Sequence, residues 1–251
     1  MHFHSLIPFG SRVVGLFAIA FLAGSLVPAS AQTERLLSPP FFPTIGYVNY
    51  SMVTVDLNGD GIPDVATSDQ DGTTVDILLG TGAGAFQAAR SFAAGNGPFA
   101  IAVGDMNGDG KPDLVLPDSN AKKNAVAILL GNGDGTFQAK KQFEGGAFPD
   151  SAALGDFNGD GRLDVVVTNA SINAGIINVM LGNGDGTLQL PTPFTTAKNP
   201  RSVVVGDFDG NGRLDLAVAT LVGNAVSVLL GNGNGTFQAR QDYPTGTSSY
   251  A

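Results

Sequence analysis

The chain has 251 residues, a formal net charge of −9 from 22 acidic and 13 basic residues, and no cysteine. That charge repels nucleic acid and anionic membrane, and without cysteine neither a disulfide framework nor a lipid-anchored lipoprotein is possible, which leaves packing and metal to hold an exported fold. Both histidines, His2 and His4, lie near the start, so serine–histidine and cysteine–histidine catalysis and the usual zinc sites are excluded from the rest of the chain.

In chain order, residues 1–31 read as a signal peptide. Arg12 is the only formal charge, an apolar run spans Val13 to Val27, and Ala29-Ser30-Ala31 gives the small-x-small cleavage pattern before Gln32. Gly15, Gly24 and Ser25 interrupt the run, which is too short to span a bilayer, so no membrane span is expected after cleavage. Residues 32–46 form an N-terminal extension. Residues 47–251 repeat with a period of about fifty: loops beginning at Asp56, Asp105, Asp156 and Asp207 are 49, 51 and 51 residues apart, and a second signature, from Leu79-Gly80 to Phe86-Gln87 in the first copy, keeps the same step. Each period reads as four short strands. In the second copy these are Ile101 to Gly104, Leu114 to Leu116, Ala125 to Leu130 and Phe137 to Phe143. The third strands, Ala125 to Leu130 and Ala225 to Leu230, are apolar at nearly every position, so both faces are expected to be buried. A four-stranded antiparallel sheet covered on both faces is a propeller blade. The expected fold is therefore all-β, a four-bladed β-propeller with blades at about 47–94, 95–145, 146–196 and 197–245.

The loops read Asp-x-Asn-x-Asp-Gly-x-x-Asp. A hard cation such as calcium takes six to eight oxygens, and a tight loop can converge many of them. Positions one, three, five and nine offer side-chain oxygens: Asp56, Asn58, Asp60 and Asp64; Asp105, Asn107, Asp109 and Asp113; Asp156, Asn158, Asp160 and Asp164; and Asp207, Asp209, Asn211 and Asp215. Position seven varies as Ile62, Lys111, Arg162 and Arg213, so its backbone carbonyl is the expected ligand, and glycine at position six permits the reversal. In the fourth loop Asn and Asp exchange places while the charge is kept. Twelve of the 20 aspartates sit in these loops, and about four calcium ions would relieve their mutual repulsion. Position twelve is Thr67, Leu116, Val167 or Val218, which excludes an EF-hand or dockerin-like loop. The second signature, Gly131-Asn132-Gly133-Asp134-Gly135-Thr136-Phe137 in copy two, replaces Asp134 by Asp185, Asn234 or Ala83 and reads as a turn before the fourth strand. The aspartates outside the loops, such as Asp69, Asp76, Asp118 and Asp242, read as solvated loop residues rather than a catalytic pair.

From about Tyr47 to Tyr243 these motifs resemble the FG-GAP or VCBS-type repeats, whose calcium loops also occur in the propeller of integrin alpha chains. The resemblance implies a propeller with calcium in the loop joining the first and second strands of each blade, and a role in adhesion or extracellular recognition. Integrin-like propellers carry more blades than the four found here, and Tyr250-Ala251 aligns with the start of a further blade, so an open or incomplete propeller is expected as much as a closed ring. The reading is a secreted, non-enzymatic calcium-binding module whose partner is an extracellular protein or glycan. Variable loops between second and third strands (69–74, 118–124, 169–175 and 221–224) are where recognition is expected. A polysaccharide lyase or hydrolase and a structural remnant of a larger propeller are the alternatives.

Overall fold

The structure, a computed structural model, describes residues 49–119 and 125–246. The leader (1–31), the extension (32–46), part of the loop 118–124, and Tyr250-Ala251 lie outside these residues. Blade 1 comprises β1 (Asn49–Val55), β2 (Asp64–Asp69), β3 (Thr74–Leu78) and β6 (Arg90–Ala93), with a two-stranded ribbon of β4 (Gly80–Gly82) and β5 (Ala85–Phe86) at its turn. Blade 2 holds β7 (Ala102–Gly104), β8 (Asp113–Asp118), β9 (Ala125–Leu129) and β10 (Lys141–Glu144). Blade 3 holds β11 (Pro149–Gly155), β12 (Asp164–Asn169), β13 (Ile176–Met180) and β14 (Thr192–Thr195). Blade 4 holds β15 (Pro200–Gly206), β16 (Asp215–Thr220), β17 (Ala225–Leu229) and β18 (Gln241–Pro244). Every blade is an antiparallel meander in sequence order, and no described residue is helical.

The fourth strand is shorter than its sequence suggests. Phe137 forms only an isolated bridge to Gly131, and regular pairing begins at Lys141 opposite Ile128. The glycine turn uses the intervening residues to swing the chain across to the blade's outer edge.

The core is divided into three clusters, one at each junction of consecutive blades. The first joins Ala66, Val75, Ile77 and Leu79 of blade 1 to Leu114, Leu116, Ala127 and Leu129 of blade 2. The second sets Val115, Val126 and Ile128 against Val165, Val167 and Met180, and the third sets Val166, Ile177 and Val179 against Leu216, Val218 and Leu229. Each middle strand thus sends alternate residues to the blade before and the blade after, which is why it is apolar on both faces. Blade 4 departs from this expectation. Ala225, Ser227 and Leu229 are buried against blade 3, whereas Val226, Val228 and Leu230 are only half-buried, because no described element covers their side. Among the described residues the four blades form an open propeller-type array.

The glycine that precedes the Asp-rich loop in blades 2 and 3 has a packing cause. A Cβ on Gly104 would lie 2.5 Å from Leu163 Cδ1, and one on Gly155 would lie 2.8 Å from Leu214 Cδ1. Blade 1 has Val55 at this position, and the facing position in blade 2 is Pro112 instead of leucine. The side-chain volume has moved from one side of the junction to the other.

Candidate metal centre

Each Asp-rich loop joins the first and second strands of its blade and lies at the same end as the glycine turn. Its carboxylates are organised by backbone N–H groups. Asp56 Oδ1 accepts from Gly59 N at 2.8 Å, and its Oδ2 accepts from Gly61 N at 2.8 Å. Asp105, Asp156 and Asp207 repeat the pattern at 2.7–2.8 Å. These donors, led by Gly61 and Gly212, hold the Asp56 and Asp207 carboxyls below the usual carboxylate range.

Position nine is fully buried in all four loops and works as a cross-brace. Asp64 Oδ2 accepts from Leu57 N at 2.8 Å and Oδ1 from Gly80 N at 2.7 Å, which ties the loop to the end of the third strand. Asp113 does the same with Met106 and Gly131, Asp164 with Phe157 and Gly182, and Asp215 with Phe208 and Gly231, all at 2.7–2.9 Å. Burial pushes the Asp113 and Asp164 carboxyls up, against the pull of those N–H groups. This bracing role was not anticipated from sequence. The companion glycine at Gly80, Gly131, Gly182 and Gly231 was the available signal, because a Cβ there would strike the carbonyl at position eight at 2.1–2.5 Å.

Positions three and five form a reciprocal pair. Asn58 Nδ2 donates to Asp60 Oδ2 at 2.9 Å, and in the fourth loop Asn211 Nδ2 donates to Asp209 Oδ2 at 2.9 Å. The swap therefore preserves an amide-to-carboxylate hydrogen bond as well as charge. The residue at position five, Asp or Asn, also accepts from the position-seven N–H at 2.8–3.0 Å. The side chains of Lys111, Arg162 and Arg213 at position seven lie along the glycine turn, where a Cβ on Gly133, Gly184 or Gly233 would come within 3.1, 2.9 and 3.1 Å of their Cδ atoms.

In the fourth loop, where position three is acidic, carboxylate oxygens of Asp207, Asp209 and Asp215 all lie within 4.8 Å of one another. Oxygens at positions one, three and nine can therefore converge on one point. A hard-oxygen set of this kind, anionic and gathered from one bend, fits calcium by its chemistry.

The second signature is a turn with two functions. Asp134 and Asp185 accept from the N–H and hydroxyl of Thr136 and Thr187, and Asn234 accepts likewise from Thr236. An acceptor is needed there, not a charge, so Asp and Asn interchange. Its last glycine links blades: Gly135 N donates to Leu57 O at 3.1 Å, Gly186 N to Met106 O at 3.1 Å and Gly235 N to Phe157 O at 2.9 Å. Each acceptor is position two of the preceding blade's Asp-rich loop, so the loops are built into the blade junctions.

Several aspartates outside the loops are buried, which corrects their reading as solvated. Asp76 and Asp118 are fully buried. Asp76 Oδ1 accepts from Ser91 Oγ at 2.6 Å, and Asp118 Oδ2 accepts from Asn96 N at 2.8 Å. Asp69 is buried as well, whereas Asp242 is exposed as expected and accepts from Ser227 Oγ at 2.6 Å. Asp76, Asp118 and Asp242 serve as hydrogen-bond acceptors that join neighbouring strands or the incoming linker, a role that composition alone does not distinguish from exposure.

At the opposite end of the blades, a cavity of about 220 Å³ lies between the 69–74 loop and the start of blade 2, lined by Gln70, Asp71, Thr73, Asn96, Phe99 and Ser119 among others. Asp150, itself largely buried, pairs with Arg201 across blades 3 and 4 at 3.3 Å.

Structural comparison finds the same architecture in larger proteins. An Agrocybe aegerita lectin, whose structure describes recognition of non-reducing terminal N-acetylglucosamine, is 25% identical with a TM-score of 0.51, over 75% of this chain and 50% of that one. A Bacteroides uniformis protein provisionally described as a 6-phosphogluconolactonase is 16% identical with a TM-score of 0.60, over 80% and 56%. A Lactobacillus plantarum protein is 15% identical with a TM-score of 0.56, over 81% and 57%. This chain thus spans 50–57% of the length of these structures. No curated protein matches the sequence. The FG-GAP-like repeat model matches residues 42–116, 118–167 and 156–218, and the FG-GAP repeat model matches 199–238. With its four loops and blades covered almost without a gap, the chain belongs to the FG-GAP repeat family.

Proposed function

We propose that this is a secreted, non-catalytic binding module, stabilised by calcium, that recognises an extracellular glycan or protein through the blade end opposite its metal loops. The observation that carries the calcium reading is the convergence of Asp207, Asp209 and Asp215 within 4.8 Å, in a loop whose hydrogen-bond frame recurs in all four blades. The side chains at positions one, three, five and nine, with the carbonyls of Ile62, Lys111, Arg162 and Arg213, would hold the ions. Bound calcium supplies positive charge that offsets the clustered carboxylates and clamps the loop. The chain's own residues do the rest: position nine fixes the loop to the third strand, and position two carries the next blade.

Glycan is the favoured partner because the cavity at the recognition end is lined by amides, a carboxylate and hydroxyls beside one aromatic ring, Phe99, a composition suited to sugar hydroxyls and an apolar sugar face. The likeness to a lectin supports this choice. Export rests on the leader, Met1 to Ala31. The test is saturation-transfer NMR with N-acetylglucosamine and a panel of neutral sugars, on calcium-loaded protein and on the Asp71→Ala and Asn96→Ala variants. Transfer to at least one sugar, abolished by either substitution, is expected. Absence of transfer across the panel overturns the glycan reading, and turnover of any polysaccharide overturns the non-catalytic one.

A further inference from the structure

The linkers into blades 2, 3 and 4 share one backbone frame. Pro98, Pro149 and Pro200 pair with Asp118, Asn169 and Thr220 at the end of each second strand. The residue before each proline, Gly97, Phe148 or Asn199, has a left-handed φ of +76°, +55° or +58°. Its carbonyl accepts an N–H from the loop after the second strand, from Ser119, Ala170 and Leu221 at 3.4, 2.9 and 2.9 Å. The frame fixes the backbone at this place, and each blade fills it with a different side chain. Glycine and asparagine meet a left-handed φ at least cost, a bulky aromatic residue is an outlier there, and a following proline pushes its predecessor toward extended backbone. In blade 2 the glycine is required, since a Cβ on Gly97 would lie 2.9 Å from Gln70 O. In blade 4 Asn199 is fully buried, with Nδ2 donating to Ala170 O at 3.0 Å and Oδ1 accepting from Arg201 Nε at 3.0 Å. In blade 3 the strained place holds Phe148, which is 46% exposed and belongs to none of the three core clusters. A strained residue that presents its side chain to solvent is the mark of a functional position.

The same frame places the groups around that ring. Two residues on from Gly97, Phe99 lines the cavity between blades 1 and 2. Two residues on from Phe148 and Asn199 stand Asp150 and Arg201, whose carboxylate and guanidinium meet at 3.3 Å. The recognition end thus carries, from blade to blade, the Phe99 ring, the Phe148 ring and a carboxylate–guanidinium pair. Consecutive blades pack as stacked sheets about 10 Å apart, a step longer than one sugar ring.

We propose that Phe148 is the stacking platform of a second sugar subsite, beside the cavity of blades 1 and 2, and that the ligand is a neutral oligosaccharide lying across both. The ring takes the apolar face of one sugar unit, and Asp150 and Arg201 offer an acceptor and donors to its hydroxyls. A ligand that meets Phe99 and Phe148 together must be longer than a single sugar. The net charge of −9 and the Asp71 carboxylate in the cavity select against a polyanionic chain. This inference rests on the glycan reading of that cavity and extends it from one sugar to a chain of them.

The test is titration calorimetry of calcium-loaded protein with N-acetylglucosamine, with glucose, and with the β-1,4-linked oligomers of each up to the hexasaccharide. Affinity is expected to rise at least about tenfold from monosaccharide to tetrasaccharide in one series, as a second contact joins the first. Phe148→Asn, which installs the residue that blade 4 carries at this place, is expected to remove the rise and leave monosaccharide binding intact. Phe148→Tyr keeps a ring and is expected to retain the rise. Leu190→Ala, at an 83% exposed position just after the glycine turn of blade 3, is expected to change nothing. The melting temperature of Phe148→Asn is expected to stay within about 3 °C of the wild type. A rise that survives Phe148→Asn, oligomers that bind no more tightly than the monosaccharide, or a larger fall in melting temperature overturns the proposal and leaves the cavity reading standing. Absence of binding in both series also overturns it, and absence across the neutral-sugar panel as well overturns the glycan reading with it.

Discussion

Phe157 and Phe208 occupy the same place in consecutive repeats and differ in whether a described blade covers them. Phe157 is 3% exposed, packed with Val203 and Leu216, and meets the Phe237 ring edge-on at 5.6 Å. Truncation to alanine removes a buried ring and leaves a cavity, a loss of about 3–5 kcal/mol, of which the aromatic pair accounts for about 0.5–1.5 kcal/mol. Phe208→Ala, at a half-exposed site, should change stability by less than about 1 kcal/mol. At about 2–4 °C per kcal/mol for a domain of this size, Phe157→Ala lowers the melting temperature by about 6–20 °C and Phe208→Ala by only a few degrees. The assay is calorimetry in saturating calcium. Because stability in a repeat array is carried by nearest-neighbour interfaces, the two values should separate cleanly. Equal losses at both positions would refute the assignment of blade 4 as the uncovered end.

Gly186 has φ +72°, and a Cβ there would lie 2.6 Å from Leu130 Cδ2, so Gly186→Ala should destabilise the second junction by about 1–3 kcal/mol in urea unfolding. Gly246→Ala, with nothing within 4 Å, should be neutral. Asp164→Asn leaves one of two buried N–H groups without an acceptor and should cost about 1–3 kcal/mol even without calcium, whereas Asp185→Asn should fall within about 0.5 kcal/mol of wild type because Asn234 already performs the same task. In carboxyl NMR titrations Asp185 should titrate below the ordinary 3.8, held down by the Thr187 hydroxyl, and Asp150 above it, pushed up by burial against the pull of Arg201. By linkage, the Asp185 contribution is present above 3.8 and lost as pH falls through its lower folded value. Asp150 has the opposite sign: its contribution is complete below 3.8 and lost as pH rises through its higher folded value.

Much of this architecture was legible in the sequence because the repeat writes each element four times. The Asp loops and the two-sided apolar strands at Ala125 and Ala225 placed the blades. What periodicity could not show was the relation between blades. Gly135, Gly186 and Gly235 read as turn residues, yet they also carry N–H groups to the preceding metal loop and leave room for Leu79, Leu130 and Leu181. The position-nine aspartates read as ligands, but each also accepts two backbone N–H groups, one from position two of its own loop and one from the end of the third strand, 16 or 18 residues away. Asp76 and Asp118 read as exposed because an isolated aspartate usually is, and only the fold shows the serine or linker N–H that lets each be buried.

The account depends most on an ion in each loop, and titration calorimetry of chelator-treated protein with calcium, followed by melting of the same sample, tests it directly. About four sites are expected, each adding about 2.7 kcal/mol to the folded state at a free calcium concentration of 100 Kd, with a clear rise in melting temperature. No heat of binding and an unchanged melting temperature would contradict it.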